Sequence, residues 1–240
     1  MKRSDSRTND QLRKINVVRN YLKHPEGSCL IELGNTRVIC TATVESRVPL
    51  FLRNSGKGWV TAEYRMLPRA TDNRVPRDRI SGRNMEIQRL IGRSLRSVLD
   101  FEALGERTIW VDCDVISADG GTRIASVIGG FIALVDAVHK LSRQQLVFMT
   151  CIKKLLAAVS VGSLYGEKIL DLNYEEDSNV DVDMNIVMTS SGEFIEVQGA
   201  AERGCFSRDD FNGFLDLAQK GINEIIEFER LLFKDILSGL

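Results

Sequence analysis

The 240-residue chain reads as an α+β protein with mixed α/β layering, on three observations. Apolar runs of strand length recur along it, three longer segments carry apolar residues at helical spacing, and the two kinds do not strictly alternate. A composition of 43% apolar and 27% charged residues is that of a chain able to bury a core.

Taken in order, strands are predicted at Ser28–Leu33 and Arg37–Val44, joined by the turn-forming Gly34-Asn35-Thr36, and then at Trp59–Tyr64. A helix over Met85–Leu99 follows from Ile87, Leu90, Ile91, Leu95 and Val98 at spacings of three and four. Thr108–Ile116 alternates, with Ile109, Val111, Cys113 and Val115 on one face and Trp110, Asp112 and Asp114 on the other. Ser126–Leu141 is apolar nearly all round, which predicts a buried helix. Four more strands are predicted at Leu156–Val161, Ile169–Leu172, Met184–Met188 and Phe194–Val197. The chain closes with an amphipathic helix over Arg208–Leu237, expected to break near Gly221. The polar Ser142-Arg143-Gln144-Gln145 follows the buried helix, and all four prolines precede residue 77, so the chain is divided into subdomains 1–148 and 149–240.

Several classes are set aside. The longest apolar stretch, Ile124 to Val135, ends at Asp136, short of the ~20 residues a membrane span needs, so no membrane association is expected. The N-terminus has no apolar core of a signal peptide, and a cytoplasmic protein is expected. Five cysteines without a C-x-x-C pair argue against a disulfide scaffold or a zinc site. Two histidines, His24 and His139, offer no Ser-His-Asp arrangement.

The net charge is −1, but the charges are sorted along the chain. Arg65 to Arg96 contains nine arginines, no lysine and three acids, which leaves +6 over 32 residues. Asp171 to Asp183 contains six acids and no base. One field suits an anion and the other a cation or a proton donor. Arginine in place of lysine favours bidentate contact with phosphate oxygens.

Three constellations could carry chemistry. Asp119-Gly120-Gly121-Thr122-Arg123 leaves a strand and opens an apolar helix, so two glycines and the free amides of a helix start can cradle a phosphate, or simply make a tight turn. Arg89, Arg93 and Arg96 form a stripe opposite the apolar face of their helix, directed at a partner subunit or at RNA, while Arg83 starts that helix. Asp177 and Asp183 bracket a loop-to-strand junction, where two carboxylates can hold Mg²⁺, keep one of the pair protonated as a general acid, or merely line an exposed loop. Asp112 and Asp114 are a rival pair on one strand face.

Read in series, these residues resemble the ribonuclease PH family of bacterial phosphorolytic exoribonucleases. The resemblance is carried by Gly56-Lys-Gly-Trp-Val-Thr-Ala-Glu-Tyr64, Met66-Leu-Pro-Arg-Ala-Thr71, Ser81-Gly-Arg83, Glu86-Ile-Gln-Arg-Leu-Ile-Gly-Arg93, Asp112-Cys-Asp-Val115, Ala118-Asp-Gly-Gly-Thr-Arg123, Leu170-Asp-Leu-Asn-Tyr-Glu-Glu-Asp177, Asp183-Met-Asn185 and Glu196-Val-Gln-Gly199. It runs the length of the chain and implies the family's fold, two subdomains related to the second domain of ribosomal protein S5. It also implies a homohexameric ring built as a trimer of dimers.

The implied reaction trims precursor tRNA 3′ ends beyond CCA with inorganic phosphate, releasing nucleoside 5′-diphosphates, and runs in reverse from diphosphates. By resemblance Arg83, Gly121, Thr122 and Arg123 bind phosphate in the first subdomain. Arg69, Arg74 and Arg77 of the same subdomain contact RNA. Asp177 and Asp183 of the second form the general-acid and Mg²⁺ site. A non-catalytic subunit of an exosome-type ring that only threads RNA is the alternative. The chain departs from the family pattern at Ser6, Asn84, Ile124 and Ala200, and it is short between Arg74 and Ser81.

Overall fold

Alternating and continuous apolar runs do pair as strands. The computed structural model, which describes residues 3–77 and 81–237, places them in two sheets. The first contains β1 (Ile15–Arg19), β2 (Gly27–Leu33), β3 (Thr36–Glu45), β4 (Trp59–Met66) and β5 (Thr108–Ser117), in the order β1-β2-β3-β5-β4. Only the β4–β5 pair is parallel, and helix α1 (Gly82–Ser97) makes its crossover. In β5 the predicted alternation holds: Ile109, Val111, Cys113 and Val115 are buried, while Trp110 and Asp114 are exposed. The second sheet is antiparallel, in the order β7 (Glu167–Leu170), β6 (Leu156–Leu164), β8 (Val182–Thr189) and β9 (Phe194–Ala201).

Helix α3 (Thr122–Arg143) lies between the sheets, touching β2, β3 and β5 of one and β6 of the other. Seventeen of its 22 residues are buried, so it shows the core almost no polar face. It can lie this close to β2 because a Cβ on Gly27 would sit 2.0 Å from the Ala133 carbonyl oxygen. The sequence set aside every membrane-length segment, yet α3 is long and apolar enough by length and composition to cross one. The expectation counted only the uninterrupted run; the helix extends past Asp136, and 89% of its apolar window is buried inside the fold. Residues from both sheets, from α1 and from α5 (Arg208–Leu232) form one continuous core.

Three elements escaped the sequence reading. Strand β1 is a half-exposed edge, with Val18 47% exposed, and its apolar signal is correspondingly diluted. The one-turn helices α2 (Phe101–Leu104) and α4 (Tyr174–Asp177) are too short to show a period. The expected break in α5 at Gly221 does not occur: the helix runs unbroken to Leu232, and Gly221 packs under Leu170 and Val159.

Candidate active site

A cavity of about 500 Å³ opens where the end of β5, the starts of α1 and α3, the α4 turn and the start of β8 converge. Arg83, Gly121, Thr122, Arg123, Asp177 and Asp183 all line it, although the first and last are a hundred positions apart. Thr71 and Val75 contribute to its wall from the arginine-rich segment.

The cradle is built from the β5–α3 turn. Gly120 (φ 72°) and Gly121 (φ 65°) are both left-handed, a conformation in which a side chain would be strained. Gly121 is the N-cap of α3 and makes no side-chain cap hydrogen bond, so the helix's first amides are left for a ligand. Thr122 is held by a 2.9 Å hydrogen bond between its Oγ1 and the Tyr64 hydroxyl. Arg123 donates from Nη1 to Gln198 Oε1 (2.9 Å) and to Glu86 Oε1 (3.4 Å), and Gln198 Nε2 also donates to Glu86 (2.7 Å). Glu86 and Gln198, whose roles the sequence did not reveal, therefore aim Arg123. Arg83 stands exposed in the first turn of α1, after the N-cap Ser81.

The acidic wall is ordered by different means. In α4 the Asn173 side chain accepts from the Glu176 amide (3.0 Å) while Glu176 Oε2 accepts from the Asn173 amide (3.0 Å), a reciprocal capping box. Glu176 is itself buried and receives Arg3 at 2.6 Å through both Nε and Nη2. Asp171 takes Arg13 in the same bidentate way, at 3.0 and 2.6 Å. The six-acid run is thus split: Asp171 and Glu176 turn inward onto arginines of the N-terminal segment, and Asp177 and Asp183 face the cavity.

Burial raises the carboxyl of Asp177, against the attraction of Arg83 and Arg123. Burial first, and Asp177's negative charge after it, push Asp183 up to about 6 against the opposing attraction of Arg123. Asn185 Nδ2 donates to one Asp183 oxygen at 3.3 Å, and the other, Oδ1, is buried with no hydrogen-bond partner among the described residues. Glu202, a third carboxylate, also lines the cavity. No cluster of three His, Cys, Asp or Glu side chains able to hold a metal occurs among the described residues.

The other sequence-predicted residues fall outside the cavity. Arg69, Arg74 and Arg77 are exposed on the segment that borders it. Arg79 of that run, and residues 78–80 of the shortened segment, lie outside the described residues. Of the predicted stripe, Arg93 pairs with Glu196 at 2.5 Å, and Arg96 donates to the Val60 carbonyl and lies 4.7 Å over the Trp59 ring. Both thus serve this chain's own packing, because the strands beside α1 present acceptors the sequence could not position; Arg89 makes no such contact among the described residues and is exposed. Ile124 points into the core, 2% exposed, and does not line the cavity as Thr122 and Arg123 do. Asp112 and Asp114 lie outside the cavity on β5 beside Glu63, so they do not replace the Asp177–Asp183 pair there.

Comparison with known proteins places the chain in a family. Residues 11–139 match the 3′ exoribonuclease family, domain 1, and residues 154–221 match domain 2 of the same family. Ribonuclease PH of Bacillus cereus (strain G9842) is 55% identical over 243 aligned positions, covering 99% of both chains, and that of Bacillus anthracis (strain A0248) is equally similar. Among solved structures, rice (Oryza sativa) Rrp46 superposes with a TM-score of 0.78 at 22% identity, over 95% of this chain and 98% of that one. The Archaeoglobus fulgidus exosome with RNA bound to the active site gives 0.80 at 19% identity, over 94% and 92%. These two likenesses concern the fold.

Proposed function

Because the chain belongs to the ribonuclease PH family and is a phosphorolytic 3′–5′ exoribonuclease of tRNA processing, we propose that its six cavity residues perform that reaction. Arg83, Arg123, the Gly121 amide and Thr122 seat inorganic phosphate, and Asp177 and Asp183 serve the departing 3′ oxygen. The observation that carries this is the convergence of all six side chains and amides on one cavity.

The chemistry demands such a site. A phosphate oxygen must attack the last phosphodiester of the RNA, and like charges about 4 Å apart repel by roughly 1 kcal/mol in water and by several times that in a drier cavity. Two guanidinium groups and a helix start offset the repulsion and hold the nucleophile in line. The new P–O bond forms as the bond to the 3′ oxygen breaks, and the terminal nucleotide leaves as a nucleoside 5′-diphosphate. The 3′ oxygen takes the bond's electron pair and needs a proton. Asp183 supplies it: with its carboxyl raised to about 6 it keeps a protonated fraction near neutral pH, which an ordinary aspartate does not. The reverse reaction adds nucleotides from diphosphates through the same groups.

The donor set also fits Mg²⁺, which is commonly held by one or two carboxylates together with substrate phosphates. The carboxylate of Asp177 would hold it, joined by the unpartnered Oδ1 of Asp183 once that carboxyl has given up its proton. Bound there, the ion would offset negative charge on the phosphate oxygens.

Arg69, Arg74 and Arg77 grip the RNA backbone without reading bases, beside the cavity where its 3′ end must enter. The protein works in the cytoplasm as a homohexameric ring, a trimer of dimers. The exposed apolar side chains of Leu50 (75%), Phe51 (70%), Phe148 (79%) and Leu231 (74%) support subunit contacts. An RNA-threading subunit without activity is disfavoured, because such a subunit has no use for both an arginine cradle and an acidic pair.

The test is to incubate RNA bearing a 3′ extension with the protein and Mg²⁺, with and without inorganic phosphate. Nucleoside diphosphates formed only with phosphate are expected; monophosphates, or equal degradation in both tubes, would overturn the assignment.

A further inference from the structure

The geometry points to Arg13 as a positioning residue that clamps the phosphate cradle and the acidic loop to each other, an inference that rests on the phosphorolytic reading. Arg13 lies in the segment before β1, far along the chain from both loops, and it is 5% exposed. Toward the acidic loop, its Nε and Nη2 donate to the two oxygens of Asp171 at 3.0 and 2.6 Å, and its own backbone amide donates to Asp171 Oδ2 at 2.6 Å. Toward the cradle, its Nη1 donates to the carbonyl of Asp119 at 2.6 Å and to that of Gly120 at 3.4 Å. The guanidinium packs directly beneath the next residue: a Cβ on Gly121 would meet Nη2 at 2.7 Å.

The two loops so clamped also touch each other. A Cβ on Gly120 would meet the Asn173 carbonyl carbon at 2.6 Å and the Tyr174 amide nitrogen at 2.8 Å, and that amide donates to Asp119 Oδ1 at 3.3 Å. From the other side Thr36 Oγ1 donates to the Gly120 carbonyl at 2.6 Å and accepts from the Asp119 amide at 2.9 Å. The backbone of Asp119 and Gly120 is therefore tied to both Arg13 and Thr36, and the Asp119 side chain to the Tyr174 amide.

Buried arginine–carboxylate pairs are poor evidence of stability, since removing two charges from water cancels much of their attraction. Fixed spacing is a different benefit. Asp171 leads directly into α4, which ends at Asp177, while Asp119–Gly121 lead into Thr122 and Arg123. One planar fork thus sets how far the phosphate seat stands from the acids, and a shift of about 1 Å in reacting groups can cost on the order of 10²-fold in rate. Lysine could not do the same, because one ammonium cannot reach two carboxylate oxygens and the Asp119 carbonyl in the fork's geometry.

The experiment is steady-state phosphorolysis by full-length Arg13→Lys, Asp171→Asn and the double variant, with phosphate as the varied substrate, beside RNA binding without phosphate. The single variants are expected to raise the phosphate KM at least tenfold and to lower kcat. RNA affinity should stay within twofold, and the double variant should be no worse than the poorer single. Folded variants with wild-type KM and kcat, whatever their melting temperature, would overturn the clamp. Should neither variant fold, hydrogen exchange of the wild-type enzyme decides: phosphate should slow amides of residues 171–177 together with those of 119–123, and protection confined to 119–123 overturns the proposal. Monophosphate products from the wild-type enzyme would instead sink the phosphorolytic reading itself.

Discussion

Ser6 holds a backbone φ of 66° in the turn that leads Arg3 and Arg7 to the acidic loop, and its amide donates to the Arg3 carbonyl at 3.0 Å. A left-handed L-residue costs about 1–2 kcal/mol, part of which glycine forfeits through its freer unfolded chain. Ser6→Gly is therefore expected to stabilise the protein by roughly 0.5–1 kcal/mol, read as a raised denaturant midpoint with unchanged slope. Arg123→Ala should lower kcat/KM by on the order of 10²-fold, since it deletes a charge-assisted contact in a partly buried site; near-normal kinetics would remove Arg123 from the cradle. At this scale the sequence was informative where chemistry is concentrated locally. The glycine pair before an apolar helix and the arginine bias drew attention to residues that the fold does bring to one cavity. Arg13 carried no such signal: its acidic partner is 158 positions away, and a lone arginine before a strand looks like any solvated charge.

Helices legible from the sequence were those whose period could express itself. Helix α3 was visible because it is apolar on all sides, and α1 because its apolar stripe is clean. Helix α4 was not, since its single turn is specified by a capping box and an ion pair with Arg3. Helix α5 conceals a different feature. Its Glu229 is fully buried, neither carboxylate oxygen finds a hydrogen-bond partner among the described residues, and burial pushes the carboxyl well above its ordinary 4.5. The folded protein then keeps a proton that the unfolded chain releases above pH 4.5, so this group's contribution to stability falls as pH rises from there toward its folded pKa. Glu229→Gln should consequently melt higher than wild type at pH 8, and the difference should shrink as the pH is lowered toward 5. A melting difference independent of pH would show that Glu229 does not titrate between the folded and unfolded states.

Across the whole molecule, near-neutrality hides a division of labour between the halves of the chain. Residues 1–148 carry an excess of basic over acidic side chains, residues 149–240 an excess of acidic over basic ones, and α3 holds the two parts to a common core. Replacing Arg69, Arg74 and Arg77 together by glutamine should weaken RNA binding and flatten its dependence on salt, by about 0.7 in log–log slope for each phosphate of single-stranded RNA that is no longer neutralised. An unchanged slope would take this segment out of the RNA grip.

The ties of Arg3 to Glu176 and of Arg13 to Asp171 bear on how the enzyme is born. Arg3 and Arg13 find their seats only after some 160 further residues have been made, because the carboxylates that receive them lie that far along the chain. Nascent molecules stalled before that point would carry an unlatched, inert catalytic centre. Activity would then arrive late in synthesis, once these two arginines can dock against carboxylates made long after them.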